Sequence, residues 1–192
     1  APPRAARRPE RGARGGGRLT WELLDEYVDD LGMTHAWYRQ RFVAEPGAVA
    51  LPDSLQEVGV PLAGSILGFH FARDGRLKSV GGAMFEDVER IGDLAIGSPE
   101  AARDHADWEM LDQTGIATTP LDLLPDSVAR SLRERTQLAL HSTGDGRSFE
   151  FVWTVPLIAG DGSAVGTAVH AGNGRVIATW RPNPQVDDDA VR

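Results

Sequence analysis

The sequence predicts an α+β protein of two small modules, each with one or more helices packed on an antiparallel sheet. Three observations lead there. Asp-Gly and Asn-Gly turns link strands of period two. Two stretches carry helix caps. The order, helix then hairpinned strands, occurs twice, unlike the regular alternation that builds a parallel sheet.

Residues 1–19 read as a disordered leader. Arg4, Arg7, Arg8, Arg11, Arg14 and Arg18 face only Glu10 and run into Gly-Gly-Gly, with no aromatic side chain to stack on a base. The net charge of −8 therefore understates the acidity of the remainder, which argues against a nucleic-acid partner. Residues 20–92 form the first module. LTWELLDEYVDD predicts a helix capped by Thr20, with Trp21, Leu24, Val28 and Leu31 on one face and Gly32 as its stop. THAWYRQRFV, residues 34–43, predicts a strand, and residues 44–58 a loop or insertion. Leu67, Phe69 and Phe71 then alternate along a second strand, so Phe69→Asp should unfold this module. Asp74-Gly75 predicts a type I′ turn into a return strand over 76–82.

Residues 93–181 form the second module. Ser98, Pro99 and Glu100 start a helix that Gly115 ends. A second helix is expected over about 125–140, with Val128, Leu132 and Leu138 as its apolar side. A meander follows: Phe149, Phe151, Trp153 and Val155 share a face, and Asp161-Gly162 and Asn173-Gly174 turn the chain. Residues 182–192 are expected to be an extended, acidic tail or linker.

Catalytic constellations are sparse. Without cysteine there is neither a disulfide framework nor a thiolate ligand. His35, His70, His105, His141 and His170 show no HExxH spacing, and no metal site or cofactor is expected. Ser65 lacks the GxSxG elbow, and the glycines match no phosphate-binding loop. Asp25, Glu26, Asp29 and Asp30, like Asp187, Asp188 and Asp189, lie in polar runs that suit solvated carboxylates. No segment is apolar enough to span a membrane. The chain is expected not to be an enzyme. Two other readings stay open: an exported module that binds an apolar ligand on Trp37 and Trp153, and a small enzyme with His70 or His170 as base.

One family resemblance bears on this. Gln40 and Phe42, then Gly59-Val60-Pro61, Ile66 to Phe71, Asp74-Gly75, and Val80 with Gly82 resemble the FTP propeptide module of fungalysin and thermolysin-type metalloproteases. Leu62 stands where that family carries a second valine, and residues 44–58 are an insertion. Residues 98–111, 149–157 and 166–180 resemble the PepSY module that follows it, again on a cystatin-like or PepSY-like fold. The resemblance implies a secreted, non-catalytic prodomain, its signal peptide already removed. Such a domain acts as intramolecular chaperone and inhibitor of a thermolysin-like zinc metalloprotease. The partner would be the catalytic domain, in cis or in trans. The segment Arg181, Pro182, Asn183, Pro184, Gln185 and Val186 would be the contact in its cleft. A stand-alone exported binding or inhibitor module is the alternative.

Overall fold

The computed structural model describes residues 16–48, 51, 53–92 and 96–181. Nine strands form one mixed sheet in the order β1 (Gly17–Val28), β2 (Thr34–Ala44), β3 (Val60–Phe71), β6 (Gln137–Ser142), β7 (Ser148–Ile158), β8 (Ala164–His170) and β9 (Val176–Trp180). Off this path, β4 (Leu77–Gly82) pairs with β3, and β5 (Arg90–Ile91) pairs in parallel with β7. The helices are α1 (Asp53–Gln56), α2 (Pro99–Thr114) and α3 (Asp126–Glu134). The α+β expectation holds in a sheet-dominated form.

The segment expected to be the first helix is instead β1, antiparallel to β2 from Gly17–Ala44 to Val28–Thr34. Pairing explains the difference. Glu22 lies against β2, where Arg39 donates to Oε2 at 2.8 Å and Arg41 to Oε1 at 2.6 Å. No helix would bring those three side chains together, and tertiary pairing overrides a modest helical propensity. Among the described residues the first half therefore carries only the four-residue α1, so a helix does not cover each half of the sheet. Trp21, Leu24, Val28 and Leu31, expected on a buried helical face, are exposed. The strand also begins at Gly17, inside the stretch read as a leader.

Burial alone would raise the Glu22 pKa, but the hydrogen bonds and charges of Arg39 and Arg41 outweigh it and hold the carboxyl below its ordinary 4.5. A depressed carboxyl contributes stability above its unfolded-state value, lost as pH falls through the folded-state one. Glu22→Gln is therefore expected to cost about 1 kcal/mol at neutral pH, because the pair is only partly shielded from water. That difference from the parent should close on acidification below 4.5, as read by urea unfolding at several pH values.

The FTP-like residues hold the frame together. Phe42 is buried in the core. The Gln40 side chain donates to Phe85 O at 2.8 Å and accepts from Phe85 N–H at 2.7 Å, acting as a strand partner where none exists. Gly59 has φ +80, and a Cβ there would meet Phe42 O at 2.7 Å. The Asp74-Gly75 loop is not type I′, since among the described residues no non-glycine has positive φ. It is a three-residue loop. Gly75 N–H bonds Ala72 O, Ala72 N–H bonds Arg76 O, both at 2.8 Å, and Gly75 alone is left-handed.

In the second half the expected elements appear with one correction. Ser98 accepts from Ala101 N–H, Pro99 opens α2, and Gly115 closes it in the left-handed region. The expected helix over 125–140 stops at Glu134, and Gln137–Ser142 is β6. Leu138, Ala139 and Leu140 are all buried, because β6 is the strand that joins β3 to β7 and is covered on both faces. One core cluster runs across both halves: Phe42, Val60 and Leu62 with Leu140, Phe149, Phe151 and α2's Met110.

Candidate functional site

Alternation along β7 sends Phe149, Phe151, Trp153, Val155 and Leu157 toward α2. The opposite face is made of small groups. Ala139, Val152 and Ala168 form a second cluster, with Ala63, Ile177 and Ala178 against it. Small side chains leave room, and a cleft of about 1080 Å³ opens here. Val128, Ser131 and Leu132 of α3 make one wall. Ile66 and Arg39 stand across from it, and Trp180, whose ring lies over Gly166, closes one end.

Pro156 is compatible with its place in β7 because β6 has already ended, at the pair Gln137–Thr154. Its carbonyl accepts from Arg103 of α2 at 3.0 Å. Arg103 is buried and also donates to Leu132 O at 2.9 Å and to Thr136 Oγ1 at 2.6 Å. A cation thus caps the C-terminal carbonyls of α3 and fixes that helix as the cleft wall. Burial lowers the Arg103 pKa, with Asp107 pulling it back up. Asp107 itself is raised by burial, against a 2.9 Å hydrogen bond from Thr118.

Beside the cleft, one buried polar atom lacks a partner among the described residues. His141 Nδ1 is buried and makes no hydrogen bond among the described residues. A buried imidazole nitrogen left bare is costly.

The residues considered for catalysis are otherwise engaged. Ser65 is buried, donates to Leu62 O at 2.8 Å and accepts from Gln40 N–H at 3.2 Å, bridging the irregular stretch between β2 and β3. His170 accepts the N–H groups of Gly172 and Asn173 on Nδ1, and Glu150 Oε2 lies 3.6 Å from Nε2, so it organises the β8–β9 turn. His70 meets His35, not His170. Of the apolar-ligand pair, Trp153 is committed to the core and donates to Gly97 O at 3.0 Å. Arg181 is exposed just past β9, while Pro182, Asn183, Pro184, Gln185 and Val186 lie outside the described residues. Sequence reasoning missed the cleft and His141, although the run of small residues on alternate positions of β8 and β9 was its visible trace.

Among the described residues no helix is long and apolar enough to cross a membrane. No protein-family model matches the chain, and no curated protein matches it in sequence. Among solved structures the chain is similar to the Bacillus megaterium YpeB C-terminal domain, at 11% identity and a TM-score of 0.38. The match covers 84% of this chain and 56% of that one, so this chain spans little more than half its length.

Proposed function

We propose that this protein is a non-catalytic binding module of PepSY-like kind, acting as prodomain and inhibitor of a secreted, thermolysin-like zinc metalloprotease. The observation that carries the binding role is the cleft: an apolar floor and a wall fixed by Arg103. An extended polypeptide of the partner suits such a cleft, since its side chains supply apolar surface along its length. The protease assignment rests on the FTP-like residues of β2, β3 and β4, which hold the sheet together instead of performing chemistry. Ser65 and His170, each occupied by the fold, support a role in binding over one in turnover.

The test is a titration of the purified chain against a thermolysin-like protease, following both activity and refolding yield. Inhibition that saturates at one chain per protease is expected. Ile66 and Val128 line the cleft and are exposed, so Ile66→Asp with Val128→Asp should leave the melting temperature unchanged. The pair should weaken inhibition about tenfold or more. Activity and refolding yield unchanged at every ratio would rule the reading out.

A further inference from the structure

We propose that His35 and His70 form a site for one divalent transition-metal ion of the imidazole-preferring kind, Cu²⁺ ahead of Zn²⁺. This goes beyond the binding role above and does not depend on it. The two residues are direct partners across the antiparallel β2–β3 pair. At such positions the Cβ atoms stand about 5 Å apart, close enough for two imidazoles to converge on one point. They do converge: the Nδ1 atoms face each other at 2.6 Å, with the rings inclined at 70°.

Hydrogen bonding fixes which nitrogen of His35 is available. Its Nε2 lies 2.9 Å from Asp29 Oδ2. Asp29 is itself held by the N–H groups of Leu31 at 2.9 Å and Met33 at 2.8 Å on Oδ1. A carboxylate only accepts, so Nε2 carries the proton and Nδ1 presents a lone pair. That is the carboxylate–histidine arrangement that orients a metal-binding ring and raises its basicity. Tyr27 stacks on the same ring at 4.8 Å and fixes its plane.

Without metal, a single proton on His70 Nδ1 bridges the pair. With metal, that proton moves to His70 Nε2, and both Nδ1 lone pairs turn to the ion. Metal–nitrogen bonds of about 2.0–2.1 Å require the two atoms to part to about 3 Å, a small rotation about the two side chains. Among the described residues no three histidine or acidic side chains converge. Solvent therefore completes the coordination, and the site is of moderate strength. Two imidazoles with water favour Cu²⁺ over Zn²⁺ by the general order of divalent affinities.

Trp37 supplies a reporter, its ring edge-on to His70 at 5.6 Å. Titrating the full chain with Cu²⁺, and separately with Zn²⁺, should give one saturable ion per chain by calorimetry. Cu²⁺ should bind tighter and quench tryptophan fluorescence in parallel. His35→Ala and His70→Ala should each remove the saturable phase, and Asp29→Asn should weaken it about tenfold. His105→Ala, on the exposed side of α2, should change nothing. Trp37→Phe should keep the calorimetric binding while losing most of the quenching. Thermal melts establish folding, and His70→Gln decides the matter should the alanine variants fail to fold. Binding that survives loss of His70, or no saturable uptake of either ion, overturns the proposal.

Discussion

Replacing Arg103 by methionine is expected to lower the unfolding free energy by about 3 kcal/mol, and replacing it by lysine by nearly as much. The guanidinium reaches three acceptors on two elements: Pro156 O on β7, and Leu132 O and Thr136 Oγ1 at the end of α3. Methionine fills much of the volume but leaves Pro156 O without its donor and Leu132 O with the Thr136 hydroxyl in place of two donors, so desolvation there is undercompensated. Lysine keeps the charge but not the planar fork that serves three acceptors at once. The damage should concentrate on α3. Its nine residues are too few for a stable isolated helix, so it depends on its packing and on this cap. Urea unfolding measures the loss, and amide exchange should show α3 losing protection before the strands. A loss below about 1 kcal/mol would mean that Arg103 does not hold the wall. If the inhibition proposed above is found, the same substitution should weaken it further than the stability change explains, because the cleft loses a fixed side.

How much of this was legible in the sequence follows from what each element packs against. The meander of the second half was readable because Asp161-Gly162 and Asn173-Gly174 punctuate it, and because β7 alternates cleanly between a core face and the cleft. The β1 segment was misread for a specific reason. Its pairing with β2 shifts register between Leu23 and Asp25. The extra residue, Leu24, shifts the alternation by one, so Trp21 and Val28, seven apart, share a face and with Leu24 imitate a helical stripe. In β6 the cause is different, since burial on both faces erases the alternation altogether.

Site residues were less legible than the fold, because they depend on register between distant strands. His35 and His70 are 35 positions apart, and only the β2–β3 pairing makes them neighbours. Arg103 looked like one more arginine on a helix of mixed composition, and nothing local marks it as buried. Its acceptors lie 29 to 53 positions away in the chain. Gln40 and Ser65 were picked out as a motif and as a non-nucleophile. Their physical work, substituting for a missing strand beside Phe85 and bridging a break in the β2–β3 ladder, needed coordinates to see.

Phe42→Ala should be the most damaging single change, at about 4 kcal/mol, a large part of the 5–15 kcal/mol that keeps a typical domain folded. Phe42 is almost fully buried, pairs with Leu19 on β1 and Val60 on β3, and belongs to the cluster that contains Phe149 and Phe151. The strand β3 carries this continuity. Its start pairs with β2, Leu62 then pairs with Leu140 on β6, and its end returns to β2 and β4. A cavity at Phe42 should therefore be felt on both sides of that strand. Phe69→Asp, which the sequence alone suggests would unfold the first module, should instead cost only about 1 kcal/mol, because Phe69 is half-buried at the far end of β3 with an edge-on contact to Tyr38. Urea unfolding followed by amide resonances of the β1–β2 pair and, separately, of the β8–β9 turn distinguishes the cases. If the two halves share one core, Phe42→Ala moves both probes to the same lower midpoint. If the second-half probe keeps its midpoint while the first falls, the halves unfold separately, and the shared cluster would be a contact between modules instead of a common core.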